Sequence, residues 1–214
     1  MKNLHWNTVA PILKTVLQDI IAEEIFSPFR LVGGTSLSLQ LGHRMSVDID
    51  LFTDNEYGSI DYKAIKSFLE VKYPFCVSRS LENVSFGTNF TVGNSITDCV
   101  KIDLYYTDEF IENPIILENI RMATSNEIIA MKLDVILRGG RKKDFWDLHY
   151  YLDKMSLDEM IDLFKKRYTY NDDFTKIKKQ LVSFDLADTD FEPICLLGKT
   201  WEIIKLDFYE YIGK

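Results

Sequence analysis

Gly33-Gly34-Thr35-Ser36-Leu37 and, after five intervening residues, His43-Arg44-Met45-Ser46-Val47-Asp48-Ile49-Asp50-Leu51-Phe52 decide how this chain is read. The alternation from Ser46 to Phe52 predicts a strand. Neighbouring side chains on a strand point to opposite faces, so Asp48 and Asp50 share one side while Val47, Ile49 and Leu51 point into the core. At a rise of roughly 3.3 Å per residue the two carboxylates stand about 7 Å apart along the chain. That separation suits shared coordination of one or two hard ions. Mg²⁺ or Mn²⁺ takes oxygen ligands and is completed by substrate phosphates, so aspartates suffice without histidine or cysteine. A solvated strand face, or charges guarding a sheet edge, is the plainer account of the same pair.

Upstream, the apolar run Phe29 to Gly34 reads as a strand ending in glycine, and Ser36 to Leu41 as a helix. Gly33 and Gly34 allow close backbone approach to a ligand, and a helix amino terminus behind them favours anions. Thr35 and Ser36 add hydroxyl donors; an ordinary strand-to-helix turn is the alternative. Ser46 shares a strand face with Asp48, where it either touches a phosphate or is a plain surface serine. Arg44 either reaches nucleotide or acceptor phosphates or pairs with a nearby acid. Further on, Val100, Ile102 and Leu104 alternate with Lys101, Asp103 and Tyr105, which places Asp103 on a polar face. If its strand neighbours that of Asp48, Asp103 joins the metal cluster and helps deprotonate an attacking hydroxyl; otherwise it is an exposed or ion-paired aspartate.

Around this block the chain divides in texture. Val9, Ile12, Leu13, Val16, Leu17, Ile20 and Ile21 predict an amphipathic helix that covers a sheet, with Pro11 in its first turn. A helix is expected over 62–73, and strands near 75–80, 85–92 and 98–106. From Thr124, which with Glu127 forms a capping-box pattern, the chain reads as helical, with further helices around 144–152, 157–168, 174–182 and 200–211. The expected fold is therefore α+β: a mixed sheet with flanking helices over residues 1–122, then a mainly helical part, 123–214, that completes the site. At 214 residues, 46% hydrophobic and 13% aromatic, the chain can bury a substantial core. It has no run of roughly 18 apolar residues for a membrane span and no secretory signal pattern, so a cytoplasmic protein is expected. Cys76, Cys99 and Cys195 are odd in number and far apart, and with three histidines they form no zinc spacing. The net charge of -8 argues against nonspecific coating of nucleic acid but leaves room for a local basic patch.

The glycine block, Asp48-x-Asp50 and a later strand carrying Asp103 together resemble the nucleotidyltransferase superfamily and, within it, the AbiEii/AbiGii toxin family. The resemblance spans roughly residues 30–150, including the stretch from Lys132 to Asp147. It implies transfer of a nucleoside monophosphate from an NTP to an acceptor hydroxyl, with release of pyrophosphate. It also implies a toxin of a toxin–antitoxin or phage-defence system with a cognate antitoxin, and tRNA as an acceptor in some members. By the same resemblance Lys132 corresponds to the family's functional lysine and Asp144 to its later functional aspartate, with Arg138 and Arg141 where basic residues are common.

Read by itself, Lys132 is a poor choice for a core, and its ammonium is suited to meet triphosphate oxygens. Arg138, Arg141, Lys142 and Lys143 also suit a helix end as plain complements to its dipole, and Asp144 and Asp147 suit helix caps. Phe145, Trp146 and Tyr150 read as core, and His43 and His149 as hydrogen-bonded structural groups. The cluster Lys165-Lys166-Arg167 with Tyr168, Tyr170, Lys176, Lys178 and Lys179 is either an RNA-docking face, interrupted by Asp172 and Asp173, or a solvated helix surface. Two further functions stay open on the residues: a small-molecule, antibiotic-type nucleotidyltransferase, and a catalytically silent nucleotide-binding or regulatory protein.

Overall fold

In the computed structural model, residues 3–82, 84–170 and 176–213 are described. Among them seven strands form one mixed sheet, in the order β3-β4-β5-β2-β1-β7-β6. The strands are β1 (Arg30–Leu31), β2 (Asp48–Thr53), β3 (Phe75–Ser78), β4 (Gly87–Ser95), β5 (Asp98–Tyr106), β6 (Ile115–Leu117) and β7 (Ile120–Met122). At the centre β2 runs parallel to β5 and antiparallel to β1, which is parallel to β7. The outer pairs β3–β4, β4–β5 and β6–β7 are antiparallel. The α+β expectation holds.

Helix α1 (Pro11–Ile21) starts on its proline and buries Leu13, Val16, Leu17 and Ile20. That stripe lies against the sheet, in one core with Ile49, Leu51, Phe90, Ile102 and Leu104. Helix α2 is Gly33–Leu41 and α3 is Tyr62–Lys72, the latter capped by the Asp61 carboxylate accepting from Lys63 N and Ala64 N. After the sheet come α4 (Ser125–Leu137), α5 (Lys142–His149), α6 (Leu157–Arg167), α7 (Ile177–Gln180), α8 (Asp185–Asp188) and α9 (Trp201–Ile212). Their apolar faces form a second core around Ile129, Leu133, Phe145, Phe164, Trp201 and Phe208. From α2, Leu37 enters this second core while Leu39 enters the first, so α2 is wedged between the sheet and the helices.

Several expectations change in detail. Val47 is 68% exposed and precedes β2, which begins only at Asp48. The glycines do not end a strand: β1 stops at Leu31, and α2 starts at Gly33. The hairpin β6–β7 carries no glycine in its turn, where Glu118 and Asn119 take positive φ, so the usual turn signal is missing. Thr124 does cap α4, but Glu127 does not reciprocate. Its carboxylate is buried, is ion-paired with Arg167 and accepts from Ile111 N at 2.8 Å. Arg167, 3% exposed, is thereby removed from the candidate RNA face. In the helix expected over 174–182, α7 occupies Ile177–Gln180; Phe174, like Asp172 and Asp173, lies outside the described residues.

Candidate active site

The parallel pair β2–β5 sets the floor of the site. Its register places Asp50 opposite Asp103 and Asp48 opposite Lys101, so the adjacency that the sequence left as a condition is met. Ile49, Leu51, Ile102 and Leu104 are buried on the other face of these strands. The apolar residues thus fix the register, and the register brings Asp48, Asp50 and Asp103 to one surface.

Gly33 has φ +66°, and a Cβ there would overlap the Asp50 carboxylate. A Cβ on Gly34 would overlap the Arg44 guanidinium. The glycine pair therefore lets the amino terminus of α2 approach the acidic strand closely. Thr35 is fully buried, with its hydroxyl hydrogen-bonded to Ser46 Oγ at 2.8 Å and to the Asp48 carbonyl. It fastens α2 to the entry of β2 and does not face the cavity, which corrects its expected ligand-facing place. Ser46 does line the cavity.

That cavity has a volume of about 200 Å³. Asp48, Asp50 and Asp103 form one wall, with Gly33, Gly34 and Ser46 at its edge. Lys132 and Asp144 sit opposite, beside Arg141 and Lys143. Lys143 Nζ lies 3.7 Å from Asp48 Oδ2, so this lysine, which the sequence left divided between surface and site, belongs to the cavity. Lys101 Nζ lies 2.6 Å from Asp103 Oδ2.

The acids carry an electrostatic conflict. Burial raises the Asp50 pKa to about 6, the charges of Asp103 and Asp48 add to the rise, and Lys132 and Lys143 only partly offset it. Among the described residues no three acidic, histidine or cysteine side chains are grouped as a ready metal cage. The donor set nevertheless fits a hard divalent ion: three aspartates on adjoining strands, one of them disfavoured as an anion until a cation arrives.

Opposite the acids, a buried ion network ties α4, α5 and the loop before β2 together. Asp147 is fully buried and receives Arg44 Nε at 2.7 Å and Nη2 at 2.9 Å, Lys132 Nζ at 2.7 Å, and His43 Nε2 at 2.8 Å. Asp144, also fully buried, takes Lys132 Nζ at 2.6 Å and Arg141 N at 3.0 Å. Burial alone pushes both carboxyls up, but Arg44 and Lys132 hold Asp147 well below the usual range, and Lys132 and Arg141 hold Asp144 below it. Lys132 is raised, its desolvation outweighed by the two aspartates. Arg44 thus takes the second of its two open roles, pairing with an acid at 2% exposure. Lys132 lines the cavity, yet its ammonium is held by two carboxylates, so its charge is not free for phosphates as the sequence suggested. Asp147 was read as a cap and is the hub of the network. Its spacing from Asp144, three residues on one helix face, was the available signal. His43 and His149 are hydrogen-bonded structural groups, His149 through Asp207 at 2.6 Å.

Residues 15–208 match the family described as nucleotidyl transferase AbiEii toxin, type IV TA system. The chain belongs to that family. This AbiEii-family protein is a nucleotidyltransferase, and the site just described lies within the matched span. It is 30% identical over 179 residues to the uncharacterized protein aq_aa25 of Aquifex aeolicus (strain VF5), covering 81% of this chain and 82% of that one. Its fold is similar to that of JHP933 from Helicobacter pylori, with a TM-score of 0.59 and 20% identity over 93% of this chain and 88% of that one. It is also similar to MenT4, the nucleotidyltransferase toxin Rv2826c of Mycobacterium tuberculosis, with a TM-score of 0.53 and 16% identity over 94% and 83%. No described helix of this AbiEii-family chain is long and apolar enough to cross a membrane.

Proposed function

We propose that this nucleotidyltransferase moves a nucleoside monophosphate from an NTP to an acceptor hydroxyl, releasing pyrophosphate, with Asp48, Asp50 and Asp103 holding Mg²⁺ or Mn²⁺. The observation that carries the reading is the pairing of Asp50 with Asp103 across β2–β5, in a cavity whose facing wall brings Lys143 and Arg141. When bound, the ion supplies charge neutralisation on the phosphates and eases deprotonation of the attacking hydroxyl. The amino terminus of α2, brought close by Gly33 and Gly34, receives phosphate oxygens on its backbone amides. Lys143 and Arg141 offset charge that builds on the leaving pyrophosphate. Asp103, opposite Asp50 on β5, helps to take the acceptor's proton on this reading. Lys132 and Asp144 act mainly by holding the first turn of α5, and with it Arg141 and Lys143, against the cavity.

The family description supports a toxin with an antitoxin partner; we place its action in the cytoplasm, where nucleoside triphosphates are abundant. As acceptor we carry the terminal hydroxyl of a tRNA, which rests on the family resemblance. Residues 1–122 supply the acids and glycines and 123–214 the facing cations, and we take these as two functional parts of one enzyme. To test the reading, wild-type and Asp48→Asn protein are incubated with Mg²⁺, each α-labelled NTP, and extracted RNA or protein. Label is expected on RNA with wild type and absent with the variant, while both melt cooperatively. Label on protein or a small molecule redirects the acceptor, and equal transfer by Asp48→Asn removes the metal assignment.

A further inference from the structure

The cavity at the acids is small for a whole nucleotide, because small-molecule sites run to about 300–1,000 Å³ and this one is about 200 Å³. It shares Phe52, Met131 and Val135 with a neighbouring groove of about 610 Å³. That groove is walled by aromatic rings that the fold leaves uncovered. Tyr57 is 59% exposed, and Phe86 and Tyr170 are each 70% exposed. On one side Tyr57 packs 6.1 Å from Phe86 and 5.3 Å from Tyr106, ring centre to ring centre; on the other, Tyr170 stands edge-on to Tyr168 at 6.2 Å. Tyr168 belongs to the second core and Tyr106 packs against the first, but Tyr57, Phe86 and Tyr170 belong to neither, and all three line the groove that adjoins the cavity at Asp50.

Charge runs along this path in a definite order. Lys143, Arg141 and the α2 amino terminus lie at the end beyond the acids. The groove instead is lined by Asp108, bonded to the Tyr170 hydroxyl at 3.0 Å, and by Asp134 and Arg138, which pair with each other. With Asp134 and Arg138 offsetting each other and Asp108 beside them, the groove offers phosphate no free excess of positive charge, whereas the face of a flat, weakly charged heterocycle stacks on tyrosine and phenylalanine. The polarity of the cleft is that of a nucleoside triphosphate laid along it, phosphates toward Lys143 and base toward Tyr57.

We propose that this aromatic groove, lined by Tyr57, Phe86 and Tyr170 and joined to the acids through Phe52 and Met131, binds the nucleobase of the donor triphosphate. This rests on the nucleotidyl-transfer reading and extends it to residues outside the glycine and aspartate motifs. Because stacking is tolerant of base identity, the groove supplies affinity for a base first.

The test compares binding of ATP, GTP, CTP and UTP with binding of base-free inorganic tripolyphosphate, each with Mg²⁺, by calorimetry. Wild type is expected to bind at least one nucleotide more tightly than tripolyphosphate. Tyr57→Ala and Phe86→Ala should weaken that nucleotide about 5- to 150-fold, the range carried by one stacked base, and leave tripolyphosphate unchanged. Tyr57→Phe and Phe86→Tyr keep a ring and should retain binding, which separates a stacking role from damage to the fold. Equal binding of nucleotide and tripolyphosphate by wild type overturns the proposal while sparing the phosphate site. Variants that bind the nucleotide normally but weaken an acceptor RNA overturn it too, and give the groove to the acceptor. Binding of neither nucleotide nor tripolyphosphate by wild type brings down the nucleotidyl-transfer reading and the groove with it.

Discussion

Replacing Lys132 by methionine removes a cation that touches both Asp144 and Asp147, at 2.6 and 2.7 Å. Lys132 is 6% exposed and the two carboxylates are not exposed at all, so water cannot take its place cheaply. Breaking a buried pair from one side costs about 3–5 kcal/mol, because the remaining charge is left in a poor dielectric. Against a typical total of about 5–15 kcal/mol this is a large share. For a chain of this size it corresponds to a fall in Tm of about 6–20 °C. The assay is a denaturant or thermal melt at pH 7, with Asp144→Asn and the double variant completing a cycle. The double variant should be less destabilised than the sum of the singles by at least about 1 kcal/mol, since each single leaves a partner unpaired.

The pH dependence of that deficit carries a sign. Asp144 and Asp147 have lowered folded pKa values, so the stability they contribute is present above the ordinary carboxylate value of about 3.9 and is lost as pH falls through their folded values. Lys132 is raised, so its share is complete below about 10.4 and is lost as pH rises past its folded value. The gap between wild type and Lys132→Met should therefore be flat around neutrality and close in strong acid. A loss below about 1 kcal/mol at pH 7, or strictly additive single and double variants, would refute the reasoning and make the network an ornament of the surface.

Asp50→Asn should act in the opposite direction on stability. Its folded pKa of about 6 against about 3.9 unfolded means the anion costs about 2–3 kcal/mol at pH 7. Transfer is expected to vanish while Tm rises at neutral pH, and the gain should disappear below pH 4 or so, where wild type is protonated in both states; a Tm that falls at pH 7 would contradict this. Mg²⁺ added without nucleotide should raise the Tm of wild type and have no effect on the Asp48→Asn, Asp50→Asn double variant, and an equal response in both would place the ion elsewhere. Gly33→Ala combines an unfavourable positive φ, worth about 1–2 kcal/mol, with overlap onto Asp50. Turnover should drop further than the Tm shift accounts for, and a fully active variant would show that the close approach is dispensable.

The legible part of the site is the part that one strand and its neighbour encode. Alternation alone put Asp48, Asp50 and Asp103 on polar faces, because burying Ile49, Leu51, Ile102 and Leu104 leaves no other register. Adjacency of β2 and β5 was not legible, since the two strands are separated by α3, β3 and β4 and the sheet order departs from chain order. The buried network was not legible for a related reason. Arg44 and Lys132 look like phosphate ligands so long as their partner is unknown, and that partner, Asp147, lies 103 residues from Arg44 in the chain. Glu127 shows the same limit on a local motif: its spacing from Thr124 satisfies a capping box, but a buried Arg167, 40 residues on, outcompetes the cap. The hairpin β6–β7 was missed because its turn residues, Glu118 and Asn119, are not the glycine-containing pair that marks such turns.

Two groups of charge thus face each other across one small cavity, and they differ in whether the folded chain satisfies them. The Asp144–Asp147 network is matched by Lys132, Arg44, Arg141 and His43, which rigidifies the start of α5 at a fixed distance from the sheet. The acids of β2 and β5 are matched only in part: Asp103 meets Lys101 and Asp48 meets Lys143, but Asp50 stays raised. A chain selected only for stability would resolve the second conflict with one asparagine. On the proposed reading, three aspartates are kept there to meet a cation brought by the substrate, and the buried network opposite is the frame that holds Lys143 and Arg141 ready. Substitutions on the two sides should then separate: those at Asp48 and Asp50 lower activity without lowering stability, and those at Lys132 and Asp147 lower both.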